Sequence, residues 1–351
     1  MDFDIQIAHS VEEVGQEAWD NLGQGFPFAS YRWYRFGERV LTDAAHLYII
    51  LSQRGQPMAR CTLWLKTQEP LPIRPTVVRR LIEGFIKRRP LLVCRSPLTS
   101  ISGLVLPHTP LSDKARTLIA QIALDEARQL DTSFLVFDYL KAQETSPADW
   151  PEPFSVVQVS DPGTHLSITW SDFDCYVSQL SKSARKDYRR HRNRATDLGI
   201  KIACRPLTNP LTEDTVSQAM TLIGNVDRHH GSPSHPYGRE MLENAHTAES
   251  TWITAKIDGQ LVGCGLALRD GEVQFLALLG LDYQVQYVYF QMIYAAIRSA
   301  IENDVKVLRG GSGTYSLKRR LGFEPEDNNY VTFAGRGALL QKLGRWAARL
   351  A

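Results

Sequence analysis

Three glycines within four residues open the stretch GGSGTYSLKRRLGF, residues 310–323, and a basic segment follows them. Such a loop can offer backbone N–H groups to a phosphate or an acyl oxygen, with a lysine behind it. The nucleotide P-loop needs Gly-Lys-Ser/Thr at a fixed gap. Here Gly313 and Lys318 lie five apart and Arg319 occupies the hydroxyl position, so the spacing fails. An acyl-transfer site and a plain turn remain. Lys182, Arg185, Lys186, Arg189, Arg190, Arg192 and Arg194 crowd another segment, where positions 182, 186, 189 and 190 share one helical face. That stripe either complements a helix dipole in solvent or meets an anion: tRNA, a carrier's phosphopantetheine or a lipid phosphate. His229, His230 and His235 lie close together, but without an i, i+4 pair and with only Asp227 nearby they do not read as a metal site. Roles in lining a substrate, in structure, or as a base with a pKa of about 6.5 stay open. No Gly-x-Ser-x-Gly elbow or Ser-His-Asp order occurs, so a covalent acyl-enzyme is not expected.

The elements that must position these residues belong to a chain of 351 residues, long enough for two domains with separate cores. Its apolar content of 43% and charged content of 22% are those of a globular protein. A net charge of +2 excludes a strongly basic nucleic-acid protein and leaves room for local basic patches. The acidic, strand-like start MDFDIQIAHS is unlike a signal peptide, and no apolar run reaches membrane-spanning length. Five scattered cysteines without Cys-x-x-Cys suit a reducing cytoplasm, and those at 61, 204 and 264 read as buried thiols in strands.

The first half reads as strand (FDIQIA), capped helix from Ser10 with Glu13, second helix (SYRWYRFGERVL), and a hairpin turning at Gln53–Gln56. Residues 112–130 carry apolar positions at helical spacing, and SFLVFDYL follows as a buried strand. The segment 74–90 is basic on one side and apolar on the other. It reads as a solvated helix over the sheet or as a lipid-surface contact. Three prolines within 141–154 mark a seam. The second half predicts one long helix over 171–199 with an acidic start and a basic end, and a Thr-capped helix before Gly231. Asp-Gly turns at 258–259 and 270–271 link three strands, and an apolar helix and a short strand precede the glycine loop. Both halves run helices, hairpin, then a helix–strand pair, which predicts a duplicated α/β unit.

Four stretches of the second half, in order, resemble the FemABX-type aminoacyl and acyl transferases, a branch of the GNAT superfamily. LSKSARKDYRRHRNRA resembles the family's Ser-Lys-x-x-Arg/Lys helix, and VDRHHGSPSHPYGREML its Arg-His-rich loop. ALLGLDYQVQYVYFQMIYAAIRSAIEND resembles its strand, Asp turn and Tyr-rich helix, and GGSGTYSLKRRLGF its closing Gly-Gly…Tyr-x-x-Lys…Gly-Phe element. In the first half, FPFASYRW resembles the family's Pro-Phe-x-Ser-x-x-Trp entry.

The resemblance implies an α+β-type α/β fold: two tandem GNAT-like domains, each a mixed sheet flanked by helices. Their expected extents are residues 1–155 and 156–335, with 336–351 as a basic amphipathic tail. It implies transfer of an acyl or aminoacyl group to a small-molecule or peptide amine by direct attack, or an inactive ligand-binding relative. Lys318 falls where the family's lysine steadies the acyl carbonyl, while Tyr315 and Asp282 fall where a proton relay would stand. Lys182, Arg185, Lys186, Arg189, Arg190, His229, His230, Gly311 and Gly313 are the expected substrate-binding residues. No metal and no permanently bound cofactor are expected. Two departures bear on the substrates, the first on a CoA donor and the second on a cell-wall nucleotide-sugar precursor. The superfamily's CoA-binding Gln/Arg-x-x-Gly-x-Gly/Ala loop is replaced by LDYQVQYVYFQ, which has no glycine. The cell-wall members' lysine, four residues after the entry tryptophan, is replaced by Gly37, with Arg35 nearby. Aminoacyl-tRNA is therefore expected slightly ahead of acyl-CoA as donor substrate. Residence in the cytoplasm is expected, with peripheral membrane contact through 74–90 and the tail LLQKLGRWAARLA.

Overall fold

The computed structural model describes residues 3–69, 76–107, 111–146, 150–231 and 235–349. The chain forms two units, one from Met1–Pro162 with Asp327–Ala351 and one from Gly163–Glu326. Strands of the first unit are β1 (Asp4–Ala8), β2 (His46–Gln53), β3 (Gln56–Lys66), β4 (Leu91–Cys94), β5 (Leu104–Val105), β6 (Phe134–Leu140) and β7 (Ser155–Gln158). Its helices up to that point are α1 (Val11–Val14), α2 (Gln16–Gly23), α3 (Tyr31–Val40), α4 (Thr76–Arg88) and α5 (Ser112–Gln129). The second unit supplies β8 (Thr164–Ser167), β9 (Lys201–Pro206), β10 (Glu249–Ile257), β11 (Gln260–Asp270), β12 (Val273–Leu281), β13 (Val307–Arg309) and β14 (Glu324–Pro325). With them come α6 (Phe173–Gln179), α7 (Lys182–Asp197), α8 (Glu213–His230), α9 (Gly238–Asn244), α10 (Val288–Glu302) and α11 (Tyr315–Arg320). The chain then returns to the first unit with β15 (Tyr330–Gly335) and α12 (Gly337–Ala348).

The first sheet runs β1-β2-β3-β4-β6-β15-β7, with β5 beside β3, and the second runs β14-β8-β13-β12-β11-β10-β9. Each is antiparallel except for one parallel pair, β4/β6 in the first and β12/β13 in the second. A helix bridges each parallel pair, as a crossover connection requires. That helix is α5 in the first unit and α10 in the second. This is the duplicated unit that the sequence predicts. Leu92, Leu135 and Phe137 form a core with Ile119 and Ala123 of α5 on one face of the first sheet. In the second unit Met292, Ala295 and Ala296 of α10 pack on Ile253, Ala255 and Leu281. The turn at Asp258-Gly259 has positive φ at both residues, 47° and 85°, as a tight hairpin demands.

Four expectations are corrected. The tail does not begin at 336 after a finished second domain: residues 330–335 are β15, which pairs with β6 and β7 of the first sheet. The boundary expected at 155 also moves, because β7 over 155–158 belongs to the first sheet. The long helix over 171–199 is two helices. Leu180 turns into the core and the Ser181 hydroxyl accepts from the Ala184 amide at 3.2 Å, capping α7. Cys204 is exposed, because β9 is the edge strand of its sheet.

Candidate active site in the second unit

The parallel ladder between β12 and β13 is short: Val273, Gln274 and Phe275 face Val307, Leu308 and Arg309. Beyond Phe275 the strand β12 continues to Leu281, while β13 ends and the chain turns into the glycine loop. The β11/β12 register also slips at this point, leaving Ala277 unopposed between the Leu266–Leu278 and Ala267–Leu276 pairs. Where the ladder stops, a cavity of about 440 Å³ opens. Leu276 and Leu279 of β12, Ile293 and Ala296 of α10, Leu308 of β13 and Phe323 give it apolar walls. His230, Tyr289, Arg309, Gly310, Ser312, Gly313, Thr314 and Lys318 provide its polar lining.

Thr164 tethers the start of the loop twice. Gly310 donates its amide to the Thr164 carbonyl at 2.7 Å, and the Thr164 hydroxyl donates to the Gly311 carbonyl at 2.8 Å. A Cβ on Gly310 would lie 2.9 Å from the Phe323 ring, so no larger residue fits. Gly311 and Gly313 hold φ of 65° and 85°, where a side chain would be strained. Behind the loop, Lys318 is only 7% exposed. Its ammonium donates to the carbonyls of Gly310, Gly311 and Ser312 at 2.6, 3.0 and 3.3 Å. Those three bonds use all three of its protons. Burial lowers the Lys318 pKa to about 8, against a smaller upward pull from Glu326. With the carbonyls drawn to Lys318, the main-chain N–H groups of Gly311, Ser312, Gly313 and Thr314 donate to no acceptor among the described residues. Consecutive free amides around left-handed residues form an anion-binding concavity. Beside the loop, Arg309 and Glu326 make a buried bidentate pair, with Nε–Oε1 at 2.6 Å.

The sequence-predicted residues divide accordingly. Lys318, Gly313 and His230 line the cavity, and Gly311 belongs to its loop. Tyr315 and Asp282 are not among the lining residues. Asp282 accepts from the Gln284 amide at 2.9 Å and shapes the turn into α10. His229 stacks on Tyr283 with centroids 4.0 Å apart, and His230 meets the Tyr283 hydroxyl at 3.4 Å. Lys182, Lys186 and Arg189 are exposed on α7 and line neither this cavity nor a smaller one. Arg185 folds back onto the carbonyls of Ser178, at 2.9 Å, and Leu180. Arg190 borders the smaller cavity of about 110 Å³, with Asp187, His191, Tyr294 and Arg320. Asp187 pairs with both arginines, and burial followed by Arg190 pushes the His191 pKa down. Tyr289, Thr314 and Phe323 are cavity residues that sequence reading missed. Tyr289 stands in an apolar, aromatic helix start that reads as core. Its hydroxyl lies 3.3 Å from that of Thr314, and burial raises its pKa.

Two such units in one chain define a tandem GNAT-type fold. Residues 84–349 match the FemAB-like family, described as one of peptidoglycan biosynthesis and recognition, and the chain belongs to that family. FemX is similar at 9% identity with a TM-score of 0.63, over 98% of this chain and 100% of that one. A tandem GNAT protein from the clavulanic acid biosynthesis pathway shares 13% identity with a TM-score of 0.57, over 96% and 99%. L-PGS from Bacillus licheniformis shares 10% with a TM-score of 0.52, over 83% and 85%. Among curated proteins, none matches the sequence. Family and fold together support the acyl- and aminoacyltransferase class.

Proposed function

We propose that the protein transfers an acyl or aminoacyl group to a small-molecule or peptide amine, with the donor's reacting end seated in the cavity beside the glycine loop. The observation that carries this reading is the loop itself. Lys318 gathers three carbonyls on one side, and four amides without an acceptor among the described residues remain, three of them on cavity-lining residues. When the amine nitrogen attacks the donor carbonyl carbon, its oxygen becomes an oxyanion, and such amides are the donors that stabilise it. Collapse re-forms the carbonyl and expels the donor's oxygen or sulfur. The amine loses a proton and the leaving group gains one. Tyr289, kept protonated by burial, can carry that exchange, giving its own proton to the leaving group and taking the amine's in its place.

The cavity's size supports a donor larger than acetyl. At ~30 Å³ per small-molecule heavy atom, judged from water's share of liquid volume, about 440 Å³ exceeds an acetyl group several-fold. Among donors we favour aminoacyl-tRNA, because the turn from Asp282 to Tyr287 lacks the glycines that ease close backbone approach to a pyrophosphate. A free acyl-CoA is the second reading, favoured by the absence of any side-chain cap at the α10 N-terminus, whose amides stay open to an anion. The lysine of the cell-wall members has no counterpart here for a steric reason. A Cβ on Gly37 would lie 2.5 Å from Pro97. Titration with charged tRNA and with acyl-CoA, followed by thermal shift and single-turnover transfer, tests the choice. Saturable stabilisation and transfer from acyl-CoA alone would overturn the tRNA donor. Lys318→Ala with unchanged donor affinity and no transfer activity in the native protein would mark a binding relative instead.

A further inference from the structure

Half of the large apolar side chains exposed among the described residues sit on two helices of the first unit, so their placement asks for a cause: Val77, Leu81 and Phe85 on α4, and Leu339, Leu343 and Trp346 on α12. Both helices cover the same face of the first sheet. Register places Val93 opposite Val136 and Phe333 opposite Val136, forming one row across β4, β6 and β15. Ile82 and Ile86 of α4 pack on Val93, Phe134 and Val136. Gly344 of α12 lies so close to Phe333 and Phe134 that a Cβ there would approach both rings within 2.8 Å. At one end Arg89 and Arg336, just beyond α4 and just before α12, both pair with Asp131. The outer sides of α4 and α12 therefore face away from one sheet surface.

Those outer sides mix apolar and cationic residues. On α4 the exposed Arg80 and Arg88 share the face of Val77, Leu81 and Phe85, with Lys87 beside them. On α12 Lys342 and Arg349 share the face of Leu339, Leu343 and Trp346, with Arg345 beside them. The α12 sequence GALLQKLGRWAA contains no acid, and the one acid of α4, Glu83, is turned to Arg79 at 3.7 Å. No described helix is long and apolar enough to cross a membrane. We propose that this two-helix face docks onto an anionic lipid bilayer, its apolar residues entering the headgroup boundary and its arginines and lysines meeting lipid phosphates. A second copy of the chain is disfavoured as occupant, because self-pairing would bring six cations against their equivalents with no acid between them.

Vesicle flotation of the full-length protein tests this, with phosphatidylcholine alone and with phosphatidylglycerol added. Binding to the anionic vesicles only, weakening as salt rises, is expected. Leu81→Glu with Leu339→Glu should reduce partitioning by about tenfold or more. These positions are 70% and 72% exposed, so the melting temperature should not move, and the cavity in the other unit is untouched. Failure to float with anionic vesicles, equal binding to neutral ones, or a dimer by light scattering that the double variant dissolves would each overturn the proposal.

Discussion

Lys318 holds the glycine loop in a way its position in the sequence does not reveal. Its pKa of about 8, lowered by burial, means that the folded state favours the neutral amine relative to the unfolded chain. Between pH 8 and the ordinary lysine range the unfolded chain therefore binds more protons, and this group's cost to stability is relieved as pH rises. Function runs the other way. A neutral amine has two protons for three carbonyls, so the loop loses one tether above pH 8. A descending limb near pH 8 is expected in the kcat profile, and Lys318→Arg, which cannot deprotonate, should lack it even if its overall rate is lower. An unchanged limb in that variant would assign the titration to another group. At Asp282 the expectation is mild. Asn retains an oxygen for the Gln284 amide, so Asp282→Asn should keep kcat within about threefold, whereas a proton-relay carboxylate would cost about a hundredfold. Steady-state kinetics on the pure variant decides.

At the scale of elements, the cavity exists because α8 and α10 hold β12 while β13 stops short. Gly280 is where α8 touches the sheet: a Cβ there would lie 2.7 Å from the Cys264 sulfur and 2.9 Å from the Ile223 amide nitrogen. Gly280→Ala should destabilise the protein by ~1–3 kcal/mol through overpacking against backbone, read as a lower urea midpoint. An unchanged midpoint would show that α8 shifts freely. Sequence pattern exposed most of these elements, because the hairpin at Gln53–Gln56, the α5 stripe and the Asp-Gly turns each carry a local signal. The break at Leu180–Ser181 was hidden, since serine in a polar helical stretch looks like one more surface position until its hydroxyl is seen capping α7. Tyr289 and Phe323 were hidden for a related reason. An aromatic residue reads as core from sequence, and only the end of the β12/β13 ladder turns these two into cavity walls.

For the whole molecule, the connectivity was the illegible part. A strand's partner is set by non-local pairing, and YVTFAG carries no mark of the sheet it will join. It lies between β6 and β7, with Phe333 opposite Val136 and Ser155, so the second unit interrupts the first. The crossings lie side by side. The Glu326 amide donates to the Gly163 carbonyl at 2.9 Å, and the Val159 amide donates to the Asn329 carbonyl at 2.8 Å. All seven strands of the second sheet lie within residues 163–326, so that segment should fold when expressed alone. A single cooperative urea transition, reported by the buried Trp252, is the expected signature. Residues 1–162 alone should not match it. Without β15 the strands β6 and β7 lose their shared partner, and without α12 the Phe134 ring loses its cover. Joining Pro162 to Asp327 through a short Gly/Ser linker should restore a cooperative transition, because the adjacent crossings leave little chain to span. If 1–162 unfolds as cooperatively as the joined form, β15 is dispensable and the first unit is complete without its returning strand.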